Sequence, residues 1–161
     1  TIKDNFIAEA DTLKEIASDD GYMISFLEED YIWGSNMHVA NNAMLLIYAS
    51  DITGNDSYIA SAKNHLNYLF GVNPMGISYV TVTGTVSPKH PHHRPSQVKE
   101  TVMPGMLVGG PDDDFEDEFV KLTLRGQPSA KCYADNAESY STNEITIYWN
   151  SPLVFVMSEF K

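Results

Sequence analysis

Apolar residues recur at three- and four-residue steps in several stretches of this chain, and those steps are the mark of helices packed on one face. Phe6, Ile7, Ala10, Leu13, Ile16 and Ala17 follow this spacing with acids between them, which predicts one amphipathic helix over residues 4–17, ended by Ser18-Asp-Asp-Gly21. Val39, Ala40, Ala43, Met44, Ile47 and Tyr48 predict a second, capped by Ser35-Asn36 and stopped between Asp51 and Gly54. Ile59, Ala62, Leu66, Leu69 and Phe70 predict a third, capped by Asp56-Ser57 and closed at Gly71. The short link between the second and third makes them an antiparallel pair, the repeat unit of helical barrels and bundles, and Ala40, Ala43, Ala60 and Ala62 are small enough to let the two approach closely. A last helix is expected from about Thr142, with Pro152 kinking or restarting it before Leu153–Met157.

Between these helices the period is lost. Tyr22–Gly34 is a dense aromatic connection, and from Val72 to about Ala130 Gly, Pro and β-branched residues dominate. Val80–Thr83 has the composition of a short strand, but nothing supports a sheet of any size, so the fold class is all-α with long loops. Loops of that length inside a compact domain are usually functional.

Composition narrows the partners. With 43% hydrophobic residues and 11% aromatics, 161 residues suffice for one domain with a buried core. A formal charge of −12 argues against nucleic acid and against an anionic membrane surface, because both would repel it, and is compatible with an uncharged substrate. No apolar run approaches a membrane span. The single cysteine, Cys132, has no partner for an internal disulfide or a metal-ligand pair and is expected to be packed. The chain begins Thr-Ile-Lys-Asp, without a starting Met or a signal segment, and is expected to be part of a longer one.

Candidate chemistry gathers where a polar acidic loop, Tyr133-Ala-Asp135-Asn-Ala-Glu-Ser-Tyr140, runs into the last helix. Ser141 followed three residues later by Glu144 reads as a capping box, with Glu144 in the first helical turn. Two roles are open to that glutamate. As a cap it bonds the backbone; as a general acid beside Asp135, Tyr140 and the Asn150 amide it donates a proton while the others hold a hydroxyl-rich substrate. A second polar cluster is Lys89-His90-Pro91-His92-His93-Arg94. It reads as a zinc site, as an exposed basic loop, or as a substrate loop whose imidazoles and guanidinium donate to sugar hydroxyls. The run Asp112-Asp-Asp-Phe-Glu-Asp-Glu118 is a solvated loop or a calcium site, the latter without the glycine and ligand order of a known calcium loop. Trp33 is either a sugar platform or core.

The spacing from Tyr133 through Asp135, Tyr140 and Glu144 to Thr146 and Asn150-Ser151 resembles the C-terminal signature of the family 9 glycoside hydrolases. Ser78-Tyr-Val-Thr81, Gly84 and Pro91-His92-His93-Arg94 resemble the other signature of that family, with Val86 standing where the pattern has Asn, Lys or Arg. Trp33-Gly-Ser-Asn36, Phe70-Gly-Val-Asn-Pro74, Leu107-Val-Gly-Gly-Pro111 and Asn150-Ser-Pro-Leu153 extend the likeness over nearly the whole chain.

This resemblance implies an (α/α)6 barrel of six helical hairpins, of which residues 1–161 are the C-terminal portion. It implies hydrolysis of β-1,4-glucosidic bonds in cellulose or related β-glucans with inversion, outside the cell, by a secreted enzyme. Glu144 then is the catalytic acid, Asp135 and His92 belong to the active site, and Arg94, Tyr140, Trp33 and Tyr79 bind substrate. No cofactor is required, and a structural calcium is compatible with the acidic run. The base that activates water roughly 6.5–9.5 Å from the acid has no counterpart here. Asp19-Asp20 lie in the wrong part of the pattern, so the base is expected from an N-terminal portion of the same catalytic module, which becomes the chain's protein partner. Two rival functions remain: a non-catalytic carbohydrate-binding module stacking sugars on Trp33, Tyr79 and Trp149, and a histidine metal protein.

Overall fold

A computed structural model describes residues 1–160. Four long helices form one layer: α1 (Ile2–Asp19), α2 (Ser35–Thr53), α3 (Asp56–Leu69) and, at the other end of the chain, α7 (Ile147–Glu159). Three short ones lie in the connecting region: α4 (Arg94–Lys99), α5 (Glu118–Thr123) and α6 (Tyr140–Asn143). α2 is the centre of the layer, packed against α1, α3 and α7. It therefore buries Val39, Ala40, Ala43, Leu46, Ile47 and Ala49 around its circumference rather than along one stripe.

The predicted small-residue contact between α2 and α3 holds for Ala40, Ala43 and Ala62, all buried, whereas Ala60 faces outward. Tyr58, Ala62, His65 and Leu69 make the buried stripe of α3 at steps of four, three and four. Two apolar clusters result. One joins α1, α2, α3 and α7 through Ala10, Leu13, Leu46, Ile47, Tyr58 and Val156. The other joins the helices to the loops through Ile24, Val39, Tyr68, Leu69, Tyr79, Leu107 and Tyr133.

The caps differ from the sequence expectation where tertiary partners compete for them. Gly34, not Ser35-Asn36, caps α2, in a left-handed conformation (φ 86°) with the Trp149 indole 3.1 Å from where a Cβ would stand. Ser35 is freed to donate to the Pro111 carbonyl (2.7 Å), and the Asn36 amide to that of Val108 (3.0 Å). Asn55 caps α3 by accepting from the Ser57 amide. α7 runs through Pro152 as one element instead of restarting. The carbonyl that this proline leaves without a backbone donor, that of Tyr148, accepts from the Ser151 hydroxyl at 3.4 Å.

Residues 72–146 form a second layer, over one end of the helices, made of backbone segments laid side by side. The expected strand at Val80–Thr83 is a single antiparallel bridge, Val80 to Leu107, because Val82 turns left-handed (φ 55°) and cannot continue it. From there the order runs outward: Thr81 and Tyr79 bond to residues 105–108, Gly109 and Gly110 donate to the carbonyls of Glu144 and Thr142, and the His92 amide donates to that of Asn143. The Leu107-Val-Gly-Gly-Pro111 segment is the seam of this layer. A Cβ on Gly109 would stand 2.9 Å from the Ser141 carbonyl oxygen, and one on Gly110 2.5 Å from the Asn36 side chain, so the close approach requires glycine at both positions. Among the described residues no helix is long and apolar enough to cross a membrane.

Candidate functional site

The junction before α7 is not the capping box its spacing implies. Ser141 and Thr142 lie inside the short turn α6, and Glu144 follows it in an extended conformation (φ −69°, ψ 154°), outside any helix. The cap of α7 is Thr146, whose hydroxyl accepts from the Trp149 amide at 3.3 Å. Ser141 is unavailable for capping because its amide and hydroxyl both bond the Asp117 carboxylate, at 3.0 and 2.8 Å. Glu144 is thus released from the local role. It sits in a backbone ribbon held on both sides, its carbonyl accepting from Gly109 (3.0 Å) and its residue paired in parallel with His92. No hydrogen bond among the described residues takes up its half-buried carboxylate.

Asp135 is the opposite case. Its two oxygens accept from the amides of Lys89 (2.7 Å) and His90 (2.8 Å), and one also from the Asn143 side chain (3.1 Å). The carboxylate therefore holds the histidine loop in place. The partner that makes this possible was not singled out from the sequence: Asn143, fully buried, accepts from the Tyr133 hydroxyl (2.7 Å) and donates to the His90 carbonyl (2.7 Å). Burial first, then the Asp135 charge, pushes the Tyr133 phenol well above its usual range, so it stays a donor. Nothing in an isolated Asn-Glu pair marks the asparagine as a hub; only its neighbours do.

His92 is brought beside Glu144 by the parallel bridge between their backbones. Its Nδ1 lies 2.6 Å from the Ala137 carbonyl, which can only accept, so Nδ1 carries the proton and Nε2 keeps no hydrogen-bond partner among the described residues. Tyr140 completes the group. Its ring stands 5.2 Å from that of Trp33 and 6.1 Å from that of His92, and its hydroxyl donates to the Glu116 carbonyl (2.9 Å). Trp33 keeps 39% of its surface exposed, enough to present a ring to a sugar. Arg94 opens α4 on the exposed side of the loop and joins no ion pair among the described residues.

Two expected substrate contacts are corrected. Tyr79 is fully buried between the rings of Tyr68 and Tyr133, and burial raises its phenol pKa; a ring with no exposed face offers no platform. Asn150 gives its amide to the backbone, accepting from Leu107 (2.8 Å) and donating to the Thr146 carbonyl (2.8 Å). Trp149, the third platform of the binding-module reading, is likewise buried.

The histidines do not converge. His93 Nδ1 meets the Ser96 hydroxyl at 2.8 Å while His92 meets Ala137, and among the described residues no three His, Cys, Asp or Glu side chains gather in a metal-holding group. The acidic run is not the solvated loop its charge implies, since Asp112 and Asp117 are buried. Asp112 accepts from the Asp114 and Glu116 amides and so shapes the loop itself. Cys132 is a packed free thiol, pushed up to about 12 by burial and by Asp113.

Comparison with known proteins places this arrangement. The chain is 44% identical to a cellodextrinase of Butyrivibrio fibrisolvens over 97% of its own length and 29% of that protein's. It is 34% identical to a cellulose 1,4-beta-cellobiosidase of Acetivibrio thermocellus, over 96% of this chain and 18% of the relative. A crystal structure of a mutant thermostable endoglucanase from Alicyclobacillus acidocaldarius superposes with a TM-score of 0.93 at 40% identity, covering 98% of this chain and 30% of that one. The chain thus spans less than a third of these relatives, and its helical layer is part of an (α/α)6 barrel. The model of glycosyl hydrolase family 9 matches residues 2–157, and the chain belongs to that family.

Proposed function

We propose that the protein containing these residues hydrolyses β-1,4-glucosidic bonds in cellulose or a related β-glucan, by an inverting acid/base mechanism, with Glu144 as the general acid. The observation that carries this reading is the contrast between the two carboxylates at the site: Asp135 is consumed by two backbone amides, while Glu144, held in place by its backbone alone, has a carboxylate free to meet a glycosidic oxygen. Cellodextrinase and cellobiosidase relatives supply the substrate class.

In this mechanism the sugar stacks on Trp33 and Tyr140, and His92 Nε2 and Arg94 bind its hydroxyls. Glu144 protonates the leaving oxygen. Asp135 acts at one remove, by fixing the loop that carries His92. The base that activates water belongs to an N-terminal portion of the module, so residues 1–161 alone are expected not to release sugar. A glucan polymer is too large to enter a cell, which supports an enzyme that works outside it. The binding-module alternative loses two of its three platforms, Tyr79 and Trp149, to burial.

The test is Glu144→Gln in the full-length protein. Loss of the proton donor is expected to lower the rate on β-1,4-glucan by about 10²–10⁴-fold while oligosaccharide binding is kept. Activity within a few-fold of wild type would remove Glu144 from the mechanism.

A further inference from the structure

Asp117 is 1% exposed, and the ion pairs among the described residues, Thr1 with Asp4 and Lys121 with Glu118, do not include it. A buried carboxylate without a counter-ion is costly unless donors surround it. Here four do. Oδ1 accepts from the Val120 amide (2.8 Å), capping α5, and Oδ2 accepts from the Ser139 hydroxyl (3.0 Å), the Ser141 amide (3.0 Å) and the Ser141 hydroxyl (2.8 Å).

Three of those donors flank one residue, Tyr140. The carbonyl next to Asp117 in sequence, that of Glu116, takes the Tyr140 hydroxyl itself. Residues 116–117 therefore grip the turn on both sides of the tyrosine and at its tip. The ring held this way is the one that stands between Trp33 and His92. The same grip reaches Glu144, whose amide donates to the Tyr140 carbonyl (3.2 Å). From Ser139 the bonding continues through the Thr142 hydroxyl (2.6 Å) to the backbone of Ala134, next to Asp135. A capping aspartate needs only the first of its four bonds; the other three are aimed at the site.

We propose that Asp117 is a positioning residue of the hydrolytic site: its carboxylate sets the Ser139–Ser141 turn, and thereby the Tyr140 sugar platform and the start of the Glu144 ribbon. The proposal rests on the glucan-hydrolase reading above. Its electrostatic logic is that one anion can satisfy three converging donors at a single oxygen, which an apolar side chain cannot do.

The experiment compares Asp117→Ala and Asp117→Asn with wild type in the full-length protein. Kinetics on soluble cello-oligosaccharides are read alongside amide hydrogen exchange resolved along the chain. With Ala, kcat/KM is expected to fall by about tenfold or more, chiefly through KM because the platform binds the ground state, and the amides of residues 139–144 are expected to exchange at least about tenfold faster while those of α2 and α3 do not change. Asn keeps one acceptor oxygen for the Ser141 amide but turns an NH2 toward another donor and lacks the charge, so it is expected to recover only part of both losses. Unchanged exchange at 139–144, an unchanged kcat/KM, faster exchange throughout the chain, or an Asn variant no better than Ala would each overturn the proposal. If the wild-type protein leaves β-1,4-glucan intact, the hydrolase reading fails separately, and exchange at 139–144 together with cello-oligosaccharide binding still decides whether Asp117 holds the platform.

Discussion

Leu46 in α2 and Asn143 beside Glu144 are both completely shut off from solvent, yet they are buried for different reasons. Leu46 is surrounded by the apolar side chains of four helices, and its contribution comes from area removed from water, about 1.5–3 kcal/mol for a side chain of this size. Asn143 is surrounded by polar groups from two loop segments, residues 133–136 and His90, and it is there because each would otherwise lack a partner. The helical layer tolerates approximate packing partners so long as volume is kept. The loop layer is a set of specific bonds in which one missing group strands several others. That difference explains why the chemistry sits in the second layer: a ribbon pinned by directional bonds holds a carboxylate to a narrower range of positions than a greasy face would.

The comparison can be broken most severely from the helical side. Leu46→Ala is expected to lower global stability by about 2–5 kcal/mol, because it opens a cavity where α2 meets its neighbours. Denaturant unfolding would show this as a lower midpoint shared by all probes, with activity per folded molecule unchanged. A loss confined to activity would contradict the division of labour.

His65 sharpens the contrast, being a polar group inside the helical layer. Its Nδ1 bonds the Ser61 carbonyl and its Nε2 accepts from the Ser25 amide, so it is buried neutral, and burial lowers its pKa from 6.5 to about 4. The folded state resists a proton that the unfolded state accepts. Its contribution is therefore fully present above about pH 6.5 and is lost progressively as pH falls toward about 4, up to roughly 3 kcal/mol. Stability measured at pH 7 and pH 4.5 should differ less in His65→Gln than in wild type. An equal difference would mean the imidazole is not the titrating group.

Asn143→Ala tests the loop layer. It leaves the Tyr133 hydroxyl and the His90 carbonyl without partners, at about 1–3 kcal/mol for each group left unpaired. Much of this is expected to appear as local loosening of residues 89–94 and 135–144, with kcat/KM falling more than the unfolding midpoint predicts. His92→Ala and Arg94→Ala should move stability least, within about 0.5 kcal/mol for the exposed Arg94, while raising KM on oligosaccharides. A large thermal shift with unchanged activity per folded molecule would take that loop out of substrate binding.

Residues 1–161 determine by themselves whatever depends on near neighbours. The helices α1, α2 and α3 were legible because a 3.6-residue period repeats an apolar face within the element, and the motif residues Glu144, Asp135, His92 and Arg94 stand in order along the chain whatever it folds into. Positions decided by distant partners were not legible. Ser141 and Glu144 have the spacing of a local cap, but an aspartate 24 residues earlier takes Ser141, and Gly109 and His92 hold Glu144 extended. Tyr79 has the chemistry of a sugar platform and is buried by Tyr68 and Tyr133, neither of them near it in sequence. Local propensity is worth tenths of a kcal/mol per residue, whereas each buried hydrogen-bonding group carries about 1 kcal/mol or more, so where the two conflict the tertiary partner decides.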